Sequence, residues 1–315
     1  MANPATITEK SELLFLYEST YSIPNGDPFT GEQRYDDETK KVLVSDVRIK
    51  RFIRDFIINE AKNDVYVWND QSMAEGKESG SAARVKSLKE KYKGDNEIFV
   101  KTGDKINCNT LNLLKKCIDV RLFGAISTEE GDAVNLTGPV QFSLLNPSLN
   151  KVDLRTHQNT TVFPSKSSNK QGSIGTTSIV PYSLNQIHGW INPKSALKTG
   201  LTEDDVKTMF KSLWNSINDA NTRSKSNQNS LLLLQLVYQE DKNKLYSVDK
   251  VIKIKPKESK REEQLRSLDD FTFDFAELIT IAKDQKIKEI RYFTECTSIK
   301  EQFKEVKEFK NLDLI

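Results

Sequence analysis

Three cations at helical spacing follow a short polar loop near the start of the chain. The loop reads Pro24-Asn25-Gly26-Asp27-Pro28, and the helix predicted over residues 45–55 carries Lys50, Arg51 and Arg54. Because an α-helix turns about 100° per residue, these cations gather opposite the apolar stripe of Ile49, Phe52, Ile53, Phe56 and Ile57. Fixed cations on a helix suit a polyanion, since phosphates repeat along a nucleic-acid strand.

An ordinary solvated helix face is the alternative interpretation of the same cations. Arg51 could pair with Asp55 one turn on, and charge runs by themselves are weak indicators of a site. Charge segregation favours a site: residues 40–54 contain six basic residues and one acid, and residues 154–202 contain five basic residues and no acid. The second stretch is equally typical of a loop rich in Ser, Thr and Asn.

Composition excludes several classes of protein. With 37% hydrophobic and 29% charged residues, the chain is typical of a globular protein with a wet surface. No segment approaches the roughly 20 apolar residues that span a bilayer. Residues 1–10 lack a secretory signal pattern, so we expect a cytoplasmic protein without membrane contacts. The net charge of +2 means that any nucleic-acid site must come from local segregation of charge.

Metal and cofactor chemistry has few candidate ligands in this sequence. Cys108, Cys117 and Cys296 are too scattered for a zinc site or a disulfide framework. His157 and His188 are the only histidines, and we expect both to be structural hydrogen-bonding groups. We therefore predict no metal site, no cofactor and no catalytic residue.

The segments that must position the cations alternate between strands and helices. Apolar runs predict strands over residues 11–19, 64–68, 118–124, 138–145, 178–191, 230–238, 246–254 and 287–293. Capping and periodicity predict helices over residues 47–60, with Ser45 as N-cap, and over 82–92, 110–117, 202–220, 273–282 and 298–310. The long loop over residues 20–41 is rich in Gly, Pro and Asp, as functional loops often are.

This order of elements predicts an α+β fold. We expect an RRM-like or ferredoxin-like antiparallel sheet with helices on one face, the other face being free to hold single-stranded RNA. Residues 1–315 form one elaborated domain in this prediction. A helical, finger-like insertion occupies residues 71–110, an extended thumb-like hairpin occupies residues 154–177, and residues 202–315 complete the core.

Several separate motifs resemble a known family in sequence and in order. They are Asn25-Gly26-Asp27-Pro28, Arg34-Tyr35-Asp36, the segment from Val44 to Asp55, the segments 119–124 and 138–142, and His188-Gly189. Together they resemble the type I-B branch of the Cas-seven family, the repeated backbone subunits of CRISPR Cascade surveillance complexes. The resemblance covers residues 12–192. One departure is Gln33, where the family usually has a proline.

The resemblance implies a protein that binds guide RNA along its backbone without reading its sequence. Copies would stack into a helical filament, and a thumb from each would reach over the RNA and displace a base. The implied partners are the CRISPR guide RNA, target DNA through that guide, further copies of the chain and other Cascade subunits. A separate nuclease would cut, so the chain itself is expected not to be an enzyme.

The implied RNA contacts fall on named residues. Lys50, Arg51 and Arg54 would contact guide phosphates, joined by Arg48 and Arg34. Asn25 and Gly26 would shape the loop, with Gly26 allowing positive φ and close approach of the backbone. Arg121 either touches RNA or braces the sheet. The thumb would supply Arg155, Phe163, Lys166 and Lys170, with Phe163 placed as a wedge beside a displaced base or packed locally.

Two other functions stay open on the sequence. Asp27 follows the first strand, where related type III backbone subunits carry an acidic residue that cuts RNA, so the chain could be a metal-dependent target-RNA endonuclease. Asp27 also precedes Pro28 and could simply shape a turn. A free-standing RNA-binding regulator would keep the basic helix but need no thumb.

Overall fold

The computed structural model describes residues 5–61, 63–68, 80–102, 105–128, 133–160 and 174–314. Its strands are β1 Ser11–Ser22, β2 Tyr35–Asp36, β3 Lys41–Ser45, β4 Phe99–Thr102, β5 Lys105–Cys108, β6 Gly124–Ser127, β7 Val134–Thr137, β8 Val140–Phe142, β9 Leu145–Pro147, β10 Arg155–Thr160, β11 Ile174–Ile191, β12 Gln228–Tyr238, β13 Lys253–Pro256, β14 Phe271–Asp274, β15 Ile287–Phe293 and β16 Phe309–Asn311. Its α-helices are α1 Asp46–Phe56, α2 Ser81–Lys91, α3 Thr110–Lys115, α4 Ile118–Phe123, α5 Pro193–Thr199, α6 Glu203–Asn218, α7 Ala276–Ile281 and α8 Thr297–Phe303. None of the helices within these ranges is long and apolar enough to cross a bilayer.

The main sheet is built around β1. Its strands follow the order β10-β11-β1-β12-β15-β16, and β8 pairs with the far end of β11. All of these pairs are antiparallel except the pair of β15 with β16. The strand β11 is long enough to pair with β10 over its first residues and with β1 and β8 over the rest. The mixed helix and sheet content agrees with the predicted α+β class.

Both faces of this sheet are covered. Leu13, Phe15 and Tyr17 of β1 pack with α1 and α6 on one face, whereas Leu14 and Leu16 pack with C-terminal elements on the other. All five side chains are fully buried. The prediction that one face of the sheet is exposed is therefore wrong. The apolar runs in β1 and β12 lack alternating polar residues, as is typical of strands that are buried on both faces.

Helix α1 has the predicted cap and apolar stripe. The Ser45 side chain accepts a hydrogen bond from the backbone N–H of Arg48, and Ile49, Phe52 and Ile53 are buried. A π-helical turn, Ile57–Ala61, continues the helix and buries Ile57. Packing of this stripe against α6 fixes the direction in which the basic residues of α1 point.

The segment predicted as a strand over residues 118–124 is helix α4 followed by the start of β6. Five of its six helical residues are buried, so the short apolar run has no distinguishing period. Residues 64–68 form no strand, because the backbone N–H groups of Tyr66 and Val67 donate to the Asp119 carboxylate instead of to a neighbouring strand. Residues 246–254 contain a 3₁₀ turn before β13, and residues 298–310 divide into α8 and β16.

A third apolar cluster lies beneath α2 and α3. It contains Val85, Leu88, Leu113 and Leu114, and it is separate from the two clusters that flank the main sheet. The predicted insertion over residues 71–110 falls here, although residues 71–79, 103 and 104 lie outside the described residues. The predicted helix over residues 82–92 is confirmed as α2.

Candidate nucleic-acid interface

The loop before α1 is tied to the helix by two buried amides. Asn25 Oδ1 accepts hydrogen bonds from the backbone N and the Oγ of Ser45, both at 2.7 Å. Gln33 Oε1 accepts from the backbone N of Asn25 at 2.9 Å, and Gln33 Nε2 donates to the carbonyls of Arg34 and Leu43. Gln33, the departure from the family pattern, therefore holds the loop together, and Asn25 is a shaping residue.

Turn geometry inside the loop accounts for Asp27. Its Oδ1 accepts from the backbone N of Phe29 at 2.9 Å, and its Oδ2 lies 3.3 Å from Arg34 Nη2. The hydrogen bond from Phe29 is the main reason that the pKa of Asp27 lies below its usual range. Gly26 does not have the predicted positive φ; Gly31 has it, at +74°. A Cβ at Gly26 would lie 3.4 Å from the Gly31 carbonyl oxygen, at the short limit of ordinary van der Waals contact.

The three cations predicted to face RNA all form ion pairs inside the chain. They are Lys50 with Asp46 at 3.0 Å, Arg51 with Asp55 at 2.6 Å, and Arg54 with Asp119 at 2.8 Å. The pairing of Arg51 with Asp55 is the alternative that the sequence left open. Arg51 is the most exposed of the three, with 48% of its side chain accessible, and Arg54 is the least, with 12%.

The ion pair of Arg54 and Asp119 has a structural role, because it links separate segments of the chain. Asp119 is fully buried and also accepts hydrogen bonds from the backbone N atoms of Tyr66 at 2.7 Å and Val67 at 3.1 Å. Arg54 further lies over the ring of Phe123, 5.2 Å from its centroid. These contacts join α1 to α4 and to residues 64–68, so the carboxylate replaces hydrogen bonds that a strand would have supplied.

Arg121 braces two helices. Its Nε and Nη2 lie 2.8 Å and 2.6 Å from the two carboxylate oxygens of Asp205, and Nη1 donates to the carbonyls of Lys115 and Lys116. Asp205 also closes the capping box of α6 with Thr202. Arg121 thus links α4 to the start of α6, so it braces two helices rather than the sheet.

Arg48 is the basic residue of α1 that forms no ion pair with any described residue. Its guanidinium lies 3.7 Å from the ring centroid of Phe52, and its buried Nε has no hydrogen-bond partner. It lines a cleft of about 330 Å³ together with Lys225, which lies in the connection from α6 to β12. Burial, followed by the charge of Arg48, lowers the pKa of Lys225 to about 8.

The same connection also lines a larger cavity, of about 610 Å³. Tyr21, at the end of β1, lines it together with His157 and Thr177 at the base of the β10–β11 hairpin and with Arg223 of the connection. Tyr21 is 57% exposed and has φ of +47°, an unusual conformation for an aromatic residue. We call the connection, residues 219–227, and the two cavities that it lines the basic groove.

The remaining predicted site residues divide by position. Arg155 is exposed in β10, opposite Ile179 of β11, at the hairpin base. Phe163, Lys166 and Lys170 lie outside the described residues. The Nε2 of His188 lies 2.9 Å from the buried Glu12 carboxylate, so this histidine has an acid partner that the sequence analysis did not find.

Tyr21, Arg223 and Lys225 are not among the site residues predicted from the sequence. Residues 220–239 contain no acid and carry both of these cations, so the charge pattern that marked the earlier segments was also present here. Within the described ranges, no group of three or more His, Cys, Asp or Glu side chains is placed to hold a metal ion.

Comparison with known proteins identifies the family of this chain. A family model described as CRISPR-associated protein Cas7 matches residues 9–276. A Haloferax volcanii protein named CRISPR-associated protein Cas7 is 28% identical over 297 residues, which cover 87% of this chain and 83% of that protein.

Two solved assemblies contain a chain of similar fold. One, described as a CRISPR RNA-guided surveillance complex, pre-nicking, matches with a TM-score of 0.54 and 13% identity and covers 96% of each chain. The other, a CRISPR RNA-guided surveillance complex, matches with a TM-score of 0.51 and 11% identity, covering 96% of this chain and 94% of that one. At these identities the similarity concerns the fold.

Proposed function

The chain belongs to the CRISPR-associated protein Cas7 family, and on that premise we propose that it is the guide-RNA-binding backbone subunit of a type I-B Cascade complex. In this role it binds RNA without reading sequence and presents the guide for pairing with target DNA. Its partners are the guide RNA, further copies of the chain and the other subunits of the complex. The relatives' names and the solved assemblies support the class of complex, and the motifs around residues 25–55 support the branch.

The basic groove is the observation that carries this proposal. It joins an unpaired cation of α1, two cations of the connection and an exposed aromatic ring at the base of the hairpin. Proteins that bind single-stranded RNA without sequence preference combine cations that follow the backbone with aromatic side chains on which bases stack. Because both faces of the sheet are covered, RNA is expected along this groove at the end of β1.

The exposure and the ion pairing of each residue determine the role in RNA binding that we propose for it. Arg48, Arg223 and Lys225 contact phosphates, and Tyr21 offers a stacking surface. Arg51 can exchange its exposed pairing with Asp55 for a phosphate at little cost. Arg54 would have to leave a buried carboxylate, so its contribution to RNA binding is indirect.

An RRM-like core and a thumb belong to the same proposal. The order strand, helix, strand, strand, helix, strand of the ferredoxin-like fold corresponds to β1, α1, β8, β11, α6 and β12. Their arrangement supports this, because β1 lies between β11 and β12 and both helices pack on one face. The strands β10 and β11 pair at residues 155–160 and 174–179, which supports a projecting thumb over residues 154–177.

Expression of the chain alone tests the proposal. We expect RNA-bound oligomers, and we expect the RNA recovered with the full complex to be uniform in length and to share one end. Sedimentation, together with sequencing of the bound RNA, measures both properties. Monomeric, RNA-free protein would contradict the proposal, and RNA-bound monomers would favour the free-standing regulator.

A further inference from the structure

The cleft between α1 and the connection holds two cations that form no ion pair with the described residues. Of the six basic residues between positions 40 and 54, five form ion pairs: Lys40, Lys41, Lys50, Arg51 and Arg54. Arg48 forms none with the described residues, and neither does Lys225 across the cleft. The Nζ of Lys225 donates one hydrogen bond, to the neighbouring Ser224 Oγ at 3.3 Å.

Donor groups around Arg48 also lack partners. The guanidinium is fixed by its stacking on Phe52, and its Nε is buried without an acceptor. The hydroxyl of Tyr17 is fully buried, has no hydrogen-bond partner and lies close enough for the charge of Arg48 to act on its pKa. Buried donors are normally paired, so the unpaired Nε of Arg48, a residue that lines the cleft, supports binding of an acceptor there. The Tyr17 hydroxyl lies deeper and does not line the cleft.

Arg48 and Lys225 both carry desolvated charges. Burial lowers the pKa of Arg48, an effect that the charge of Asp55 opposes. Burial, followed by the charge of Arg48, lowers the pKa of Lys225 to about 8. The carboxylates that line the cleft are Asp55, Glu60 and Asp219, and none of them is within ion-pair distance of either cation. A bound anion would compensate both desolvated charges at once.

We propose that Arg48 and Lys225 together bind one backbone phosphate of the RNA in this cleft. The assignment rests on the proposed function and names a residue pair that joins α1 to the connection. A phosphate fits the surroundings, because the connection that carries Lys225 also carries Arg223 into the neighbouring cavity, where Tyr21 is exposed. A strand crossing the connection would place a phosphate in the cleft and a base beside Tyr21.

Salt-dependent binding of an oligouridine RNA tests the pair. The variants are Lys225→Met and Arg48→Met, with Lys283→Met as the matched control, since Lys283 is an exposed lysine that follows α7 on the opposite side of the sheet. We expect each of the first two to weaken binding about tenfold or more at low salt. Each should also reduce the slope of log K against log salt by about 0.7, the value for one phosphate on a single strand. The control should change neither quantity.

Thermal unfolding of the RNA-free protein provides a second readout. Lys225→Met removes a desolvated charge, so we expect its melting temperature to rise while its RNA affinity falls. A lysine that only supports the fold would lower both. Because a more stable variant cannot have lost affinity by unfolding, this combination identifies a binding role.

Chemical labelling provides a readout without any substitution. With a pKa of about 8, Lys225 releases its proton at a lower pH than an ordinary lysine, so acetic anhydride should modify it early at about pH 8, and bound oligouridine should protect it. Mass spectrometry of the labelled peptides measures both rates. Equal labelling with and without RNA would overturn the assignment.

The outcomes separate this inference from the proposed function. A wild-type chain that binds no RNA overturns both. A wild-type chain that binds RNA, with an unchanged salt slope in Lys225→Met, overturns the phosphate site and leaves the function standing. If Lys225→Met instead weakens association between RNA-free copies and leaves the slope unchanged, a carboxylate of a second copy occupies the cleft, and the assignment is wrong.

Discussion

At the scale of single residues, pairing rather than charge decides which cations are available to a ligand. Lys50, Arg51 and Arg54 looked equivalent by position, yet each already has a carboxylate partner. Arg48 looked peripheral, yet it is unpaired and faces Lys225 across a cleft. Desolvation of unpaired cations costs free energy in the empty protein and is offset when an anion binds.

The shifted pKa of Lys225 predicts that RNA binding weakens at alkaline pH. In the free protein this pKa is about 8, and a bound phosphate raises it, so the stabilising charge is fully present below about pH 8 and is lost as the pH rises through the bound-state value. The other charged groups facing Lys225 are Arg48, Asp55, Glu60 and Asp219. We expect about a tenfold loss of oligouridine affinity between about pH 7 and pH 10, measured by fluorescence anisotropy.

The substitution Lys225→Arg is the control for this pH dependence. Arginine keeps its charge throughout the range, so the variant should bind with nearly constant affinity. An equal loss of affinity in the wild type and in Lys225→Arg would show that another group titrates, and it would contradict the prediction.

At the scale of secondary-structure elements, the buried carboxylate of Asp119 accepts backbone hydrogen bonds that a neighbouring strand would otherwise accept. It binds Arg54 of α1 and the backbone of Tyr66 and Val67, and it belongs to α4. Arg121 and Asp205 form a second link, between α4 and α6. These two ion pairs fix the positions of α1, α4 and α6 relative to one another, so the geometry of the basic groove depends on them.

The two arginines of α1 are predicted to differ in their effect on stability. Arg54→Ala leaves a fully buried carboxylate without its cation, so we expect the free energy of unfolding to fall by about 3–5 kcal/mol. Arg51→Ala, on the same helix, removes an exposed pair and should cost less than about 1 kcal/mol. Urea denaturation of both variants measures the difference. Similar losses of unfolding free energy for the two variants would mean that the ion pair of Arg54 and Asp119 does not have this structural role.

At the scale of the whole molecule, both faces of the main sheet are covered, so we expect a ligand to bind at the end of the sheet. The two apolar clusters leave no open sheet face among the described residues, and the basic groove lies where β1, α1, α6 and the β10–β11 hairpin meet. The cations of the basic groove and the exposed ring of Tyr21 support the proposal that it binds RNA.

Assembled complexes are therefore predicted to leave complementary RNA intact. Asp27, the acid considered for cleavage, is held by the backbone of Phe29 and by Arg34. We expect no difference between the wild type and Asp27→Ala when labelled complementary RNA is incubated with the complex and analysed by electrophoresis. Regularly spaced fragments that disappear in Asp27→Ala would instead assign nuclease activity to this chain.

The sequence by itself determined the elements with strong local signals. The Ser45 cap, the apolar stripe of α1, the first strand and the α6 helix are set by neighbouring residues, and each is present as predicted. The motifs around residues 25–55 also indicated the family. The fold class followed, because long apolar runs and amphipathic helices allow few arrangements.

Only the tertiary structure decided which charges remain free. Asp119 and Arg54 are 65 positions apart, and Arg121 and Asp205 are 84 apart, so no local pattern predicts that they neutralise each other. Lys225 shares a cleft with Arg48 for the same reason: α6 returns the chain to α1 before β12 begins. Helical spacing sets the side of a helix on which a charge lies, whereas ion pairing and desolvation depend on what the fold packs against that side.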